Sequence, residues 1–359
     1  MNDSLSLDDD IYKKIILWND TEKHYSKGKC IHEFFQQWAE KSPDAIVLIQ
    51  GNRQISYAEL NRRANQLAHF LLKQGVKPEE QVGVCVERSF DLIICLLGIA
   101  KAGACYVPLD PSFPHARLQN MLEQSDCHLL LIDKTTPASL GLLNGEHCLT
   151  VDVSSYGCFT KYSSENIDLP AIGLNSQNQL YLIFTSGSTG KPKGVSINHD
   201  NVVSLVFSGC QIQLSFTDIV AQISNYSFDA ITYELWGALA NGARLVILDK
   251  DIILNPQVLS EELRNHCISA GFLTTALFNR ISAECPDCFS SLEKLLFGGE
   301  AYSAEAIRRV LDYSPKNLMH VYGPTECTTY ATSFELTQSL FAETNIAPIG
   351  KPLANHAAY

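Results

Sequence analysis

Between positions 184 and 194 the chain reads Phe-Thr-Ser-Gly-Ser-Thr-Gly-Lys-Pro-Lys-Gly, with four hydroxyls, three glycines and two lysines in eleven residues. It follows an apolar run, Leu180 to Phe184, that reads as a buried strand. Glycines at 187, 190 and 194 let backbone amides approach an anion that side chains would otherwise hold away. The chemistry is phosphate binding, and the expected ligand is a nucleotide. The common P-loop is a different motif: it needs a glycine five residues before the Gly-Lys pair and Ser or Thr after it, whereas here those places hold Thr185 and Pro192. Pro192 also biases Lys191 toward extended backbone.

A second cluster lies at Leu318-Met319-His320-Val321-Tyr322-Gly323-Pro324-Thr325-Glu326, which reads as a strand running into a Gly-Pro turn. Tyr322 can present a flat face to a purine or ribose, Thr325 a hydroxyl to a phosphate oxygen, and Glu326 a hard oxygen ligand to Mg²⁺. Taken alone the same residues describe an ordinary strand-end turn with a solvated glutamate.

The elements that must position these residues follow an α/β rhythm. Val82–Val86 reads as strand, Asp91–Ala102 as helix and Cys105–Leu109 as strand, with Pro111 and Pro114 as punctuation. After the phosphate loop a second series has strands near Ile219–Ile223, Arg244–Leu248, Ala270–Leu273, Lys294–Phe297 and Leu318–Val321, with helical patterns between. Two series suggest two sheets packed together, with strand order left open.

At 359 residues, 46% hydrophobic and 18% charged, the chain can bury a large core. A net charge of −12 without any long Lys/Arg run argues against nonspecific nucleic-acid binding. The acidic start through Asp8-Asp9-Asp10 is unlike a secretory signal, and the longest apolar run, Leu92–Ala100, is too short to span a bilayer. The expectation is a cytoplasmic protein without membrane or nucleic-acid partners. Its twelve cysteines lie mostly in apolar stretches where thiols act as small hydrophobes. Cys285-Pro286-Asp287-Cys288 has redox or zinc spacing but no second pair beside it, and is expected to be structural.

With both motifs in hand, the chain resembles the adenylate-forming superfamily and, more narrowly, the amino-acid adenylation domains of nonribosomal peptide synthetases. The resemblance is carried by Ile55–Leu60, Ala100–Asp110, Thr185–Gly194, Phe228-Asp229-Ala230 and Tyr322–Glu326, in the family's order. It implies an α/β fold of two packed αβ subdomains, with mixed, largely parallel sheets and flanking helices, plus the beginning of a small β-barrel. The implied division is a linker or docking segment at 1–29, an adenylation core at 30–334 and a truncated barrel start at 335–359. The rest of the barrel, a ribose-binding aspartate, a hinge and a C-terminal domain with a catalytic lysine would lie beyond Tyr359, so this stretch is expected to bind MgATP and amino acid but to adenylate poorly or not at all.

The implied reaction joins an amino-acid carboxylate to the α-phosphate of MgATP with loss of pyrophosphate. The aminoacyl group then passes to a phosphopantetheine thiol on a peptidyl carrier domain. By the same resemblance Thr185, Ser186, Gly187, Ser188, Thr189, Gly190, Lys191 and Lys193 would hold the phosphates. Gly299, Glu300, Ala301, His320, Tyr322 and Gly323 would hold the nucleoside, while Thr185, Thr325 and Glu326 would act in catalysis, Glu326 as the metal ligand. An MbtH-like activator is a further implied partner. Competing readings are an acyl- or aryl-CoA ligase and a non-catalytic binding module.

Asp229 bears on that choice. A buried carboxylate without a cationic neighbour is costly, and an α-ammonium is a suitable partner. It could equally cap the helix whose apolar face is Ile231, Leu235 and Leu239, and both roles can hold. The other positions matching the family's specificity pocket are Ala230, Tyr233, Phe272, Leu296, Gly298, Val321, Thr329 and Tyr330. They hold no second charge, so the expected substrate is branched aliphatic, isoleucine ahead of valine or leucine.

Overall fold

A computed structural model describes residues 9–136, 148–154, 156–186, 192–208, 212–313, 315–344 and 346–358. In chain order the strands are β1 (Ile46–Gln50), β2 (Arg53–Ser56), β3 (Gln81–Cys85), β4 (Cys105–Pro108), β5 (Leu129–Ile132), β6 (Leu149–Asp152), β7 (Gln179–Ser186) and β8 (Pro192–Asn198). They continue as β9 (Ile219–Gln222), β10 (Arg244–Ile247), β11 (Ala270–Thr274), β12 (Lys294–Gly298), β13 (Asn317–Tyr322), β14 (Thr332–Leu336) and β15 (Lys351–Pro352). One sheet has six strands in the order β6-β5-β3-β4-β7-β8, the other nine in the order β15-β14-β13-β12-β11-β9-β10-β1-β2. Pairing is parallel except at β1/β2, β7/β8, β13/β14 and β14/β15.

The strands named from periodicity are all present, with ends displaced by a residue or so. Between the sheets lies the helix α4, Phe90–Lys101 in a chain-order count that starts with α1 (Asp9–Trp18), α2 (Ile31–Lys41) and α3 (Tyr57–Lys73). α4 is apolar on every face except at Asp91 and Lys101 and is buried along nearly its whole length, as an almost all-round hydrophobic helix requires. Ser89 caps it by accepting from the Leu92 amide. One continuous core joins Val82 and Val84 of the six-stranded sheet to Val220 and Leu245 of the nine-stranded one.

The first helix, α1, leaves Leu17 and Trp18 exposed. The segment after it is tied to the far end of the described chain: the Thr21 hydroxyl donates to the His356 carbonyl, and Asn19 exchanges two hydrogen bonds with Ala358. Residues 335–358 supply the helix Gln338–Thr344 and β15, which pairs with β14. Cys288 packs in the core with Phe278 and Phe289, and no group of potential metal ligands occurs among the described residues. No helix among them is long and apolar enough to cross a membrane.

A buried polar cluster lies against α4. His32 and His199 are both fully buried with rings 5.5 Å apart, and neither nitrogen of His32 has a hydrogen-bond partner among the described residues. Burial pushes both imidazoles down, His32 well below its ordinary value and His199 to about 3. The unfolded chain therefore takes up these protons first as pH falls below 6.5. The stability present above that value is lost on acidification, by about 3 kcal/mol per histidine near pH 4.5. The variant His32→Gln/His199→Asn is expected to take up fewer protons than the parent on urea unfolding, by about one at pH 6.5 and about two at pH 5. Potentiometric or calorimetric proton counts check this; an unchanged count contradicts it.

Candidate active site

The carboxyl ends of β7 and β13, one from each sheet, come together, the kind of place where open α/β sheets bind ligands. Lys193 at the start of β8 reaches Glu326, in the short turn Thr325–Cys327 after β13, at 3.3 Å. β7 and β8 form an antiparallel hairpin whose register pairs Thr185 with Lys193, and the Thr185 hydroxyl donates to the Lys193 carbonyl at 3.4 Å. Of the glycine-rich segment, Thr185, Lys193 and Gly194 thus lie in the paired strands. The pattern before it gave β7, while β8 was missed because only Val195 and Ile197 turn inward. Gly187, Ser188, Thr189, Gly190, Lys191 and the Ser186 side chain lie outside the described residues.

β12 and β13 run in register, pairing Phe297 with His320 and Gly298 with Val321, so alternation puts the expected nucleoside and substrate residues on opposite faces of the sheet. On one face His320 stacks on Phe297 at 5.2 Å, meets the Tyr302 edge at 5.5 Å and donates from Nδ1 to the Pro348 carbonyl at 2.8 Å. That bond leaves Nε2 as the ring's acceptor. Tyr322, two residues on, is 49% exposed and free to present its ring. Gly299, Glu300 and Ala301 are exposed beside them, with the Glu300 carbonyl held by the Thr275 hydroxyl. Neither Tyr302 nor Pro348 was singled out from the sequence, since no spacing signal shows their contact with His320.

On the other face Ala230, Tyr233, Phe272, Leu296, Val321 and Tyr330 share one buried cluster. Tyr330 makes ring contacts with Phe272 at 5.6 Å and Tyr233 at 6.0 Å. Gly298 is fixed by geometry as well as by any pocket, since a Cβ there would run into the Val321 carbonyl. The Tyr330 hydroxyl is buried without a hydrogen-bond partner, a polar note in an otherwise apolar wall.

Asp229 closes this group. Its carboxylate accepts from the Thr325 hydroxyl and the Ala230 amide, and its carbonyl accepts from Thr329 Oγ1 at 2.9 Å and the Thr232 amide at 2.8 Å. Burial raises its carboxyl above the ordinary range despite those donors, and no salt bridge reaches it among the described residues. The expected helix cap is corrected here. The helix opens with a π turn, Thr232–Trp236, preceded by Ile231 with no side-chain cap, so the Asp229 carboxylate is turned toward Thr325. Glu326, by contrast, is exposed and held below its ordinary value by its own backbone amide and by Lys193. An ionised, accessible carboxylate beside a cation-bearing hairpin suits Mg²⁺, which takes one or two carboxylates and completes its shell with phosphate and water.

The chain matches the AMP-binding enzyme family over residues 35–359. It belongs to that family. The AMP-binding enzyme is 40% identical to bacitracin synthase 1 of Bacillus licheniformis over 339 residues, 94% of the chain and 6% of that relative. It is 38% identical to tyrocidine synthase 3 of Brevibacillus parabrevis, over 95% of the chain and 5% of that relative. The chain therefore spans only a small part of the curated relatives it matches. Among solved structures, PA1221, a nonribosomal peptide synthetase protein containing adenylation and PCP domains, superposes with a TM-score of 0.81 at 31% identity, covering 90% of this chain and 54% of that one. The nonribosomal peptide synthetase FmoA3 superposes with a TM-score of 0.84 at 23% identity, covering 97% and 37%, which bears on the fold. The expected two-sheet fold is thus that of adenylation domains of nonribosomal peptide synthetases.

Proposed function

We propose that this AMP-binding enzyme activates an amino acid: the carboxylate oxygen attacks the ATP α-phosphorus, a C–O–P bond forms, the bond to the β-phosphate breaks and pyrophosphate leaves. The observation that carries the reading is Asp229, a carboxylate raised by burial and without a cation among the described residues, set between Thr325 and the apolar cluster. An α-ammonium supplies the missing charge. Mg²⁺ held by Glu326 would neutralise phosphate charge; Lys193 and residues 186–191 would hold the phosphates, and Thr185 and Thr325 would orient them. His320, Tyr322 and residues 299–301 would take the nucleoside, with Gly323 letting the turn pass close to Tyr330.

The PCP-bearing neighbour supports a carrier-domain phosphopantetheine thiol as acceptor of the aminoacyl group. An FmoA3 structure bound to AMPPNP supports ATP as the nucleotide. The division 1–29, 30–334 and 335–359 is part of the same reading.

The apolar wall favours isoleucine, then valine or leucine. The test is calorimetric binding of isoleucyl-sulfamoyl adenosine, a stable mimic of the adenylate. It is expected to bind at least about tenfold more tightly than its deaminated counterpart, one lost charge-assisted bond. Because an aliphatic side chain leaves the Tyr330 hydroxyl unpaired, Tyr330→Phe should bind the isoleucyl mimic within about threefold of the parent or more tightly. Equal binding of the deaminated mimic contradicts the reading, and a large loss in Tyr330→Phe points to a substrate with a polar side chain.

A further inference from the structure

Asp229 sits in a segment, Ile223 to Ala230, that is neither strand nor helix, so its position depends on what grips that backbone. Two ionisable side chains hold its first peptides from opposite sides. Arg88, in the turn between β3 and α4, donates from Nη1 to the Gln222 carbonyl at 2.7 Å and from Nη2 to the carbonyls of Ile223 and Ser224 at 3.0 and 2.9 Å. Glu234, fully buried in the π turn, accepts from the Ile223 amide at 3.3 Å, from the Ser224 amide at 3.0 and 3.1 Å, and from the Ser224 hydroxyl at 2.9 Å. A guanidinium from one sheet thus satisfies the carbonyls, and a carboxylate from the helix after the loop satisfies the amides.

The following residues are braced in turn. Asn225 donates to the Asp110 carboxylate, the Tyr226 hydroxyl to the Leu109 carbonyl at 2.7 Å, and the Ser227 hydroxyl to the Pro108 carbonyl at 3.3 Å. The end of β4 therefore supports the middle of the loop while Arg88 and Glu234 set its start. Charge-assisted bonds are the strong ones, and a buried amide or carbonyl that loses its partner is costly, so these two residues carry most of the constraint.

We propose that Arg88 and Glu234 are a positioning pair: by clamping residues 222–224 they set the depth of the Asp229 carboxylate and thereby the preference for substrates that carry an α-amine. The inference rests on the reading of Asp229 given above. Both residues act through the loop, and neither is assigned contact with substrate.

The experiment compares kcat/KM in ATP–pyrophosphate exchange for L-isoleucine and for 2-hydroxy-3-methylpentanoate, the same acid with the amine replaced. The chains are the parent, Arg88→Gln, Arg88→Lys, Glu234→Gln and Ser224→Ala, each with and without Asp229→Ala. Arg88→Gln and Glu234→Gln are expected to lower the amine preference by about 10–100-fold through the amino-acid KM, with the ATP KM within about twofold of the parent. Arg88→Lys should recover part of the preference, and Ser224→Ala, which removes one of the Glu234 bonds, should show a smaller loss of the same kind. In the Asp229→Ala background none of the four should reduce the preference further.

Losses that strike both acids and ATP alike, or that add to Asp229→Ala, overturn the proposal in favour of general scaffolding. A parent that prefers the amine while both neutral variants keep that preference overturns the pair alone. A parent with no amine preference overturns the reading of Asp229 and the pair with it.

Discussion

Asp229→Ala is expected to lower kcat/KM for isoleucine-dependent ATP–pyrophosphate exchange by about 10²–10³-fold, equivalent to roughly 3–4 kcal/mol. The size follows from the partner left behind. An α-ammonium brought out of water needs a carboxylate, and removing one member of such a pair exposes the other to the full desolvation cost. Thr325 and the Ala230 amide each donate to the carboxylate, so it is oriented before substrate arrives. The ATP KM should move by less than about twofold, because a lost ground-state contact to one substrate appears in that substrate's term. Stability should move the other way or not at all: the carboxyl is raised by burial in the free protein, so the alanine variant loses an uncompensated acid. A thermal midpoint that falls steeply alongside activity would instead assign Asp229 a structural role.

The second large effect belongs to Glu326. Its carboxylate is 51% exposed on the side chain and, among the described residues, ion-paired only with Lys193, itself 67% exposed, so the pair contributes little to stability. Glu326→Gln should therefore leave the thermal midpoint nearly unchanged. Its expected cost is catalytic, about 10²-fold in kcat with a rise of at least about tenfold in the Mg²⁺ concentration giving half-maximal exchange. A neutral amide keeps the shape and one acceptor oxygen but removes the charge a hard cation needs. Exchange rates titrated against Mg²⁺ at saturating ATP check this, and an unaltered Mg²⁺ dependence would remove Glu326 from the metal's ligand set.

Much of the scaffold was legible because its signals are local. The run Leu180 to Phe184 and the strands at 270, 294 and 318 announce themselves by continuous apolar stretches, as parallel strands buried on both faces must. β8 was less legible, since Pro192–Asn198 alternates exposed and buried positions and carries a lysine at its second residue. At Asp229 the structure shows a carboxyl raised by burial with Thr325 and Ala230 as donors, and its cap role failed because the helix starts with a π turn further on. Sequence spacing cannot show which backbone a charged side chain will grip across 130 residues or more. Arg88 was passed over for that reason. Glu234 grips backbone only ten and eleven residues away and was passed over although it sits between buried Tyr233 and Leu235 in a stretch with no exposed face. His320 and Val321 are adjacent in sequence yet serve opposite faces of the sheet, a separation that becomes visible once β12 and β13 are in register.

The most direct test of amino-acid activation is ATP–pyrophosphate exchange by this chain across the twenty amino acids and a set of fatty and aryl acids lacking an amine. Exchange led by isoleucine, valine or leucine is the predicted result. Exchange supported only by the amine-free acids would contradict it, and with it the pairing of Asp229 with an α-ammonium.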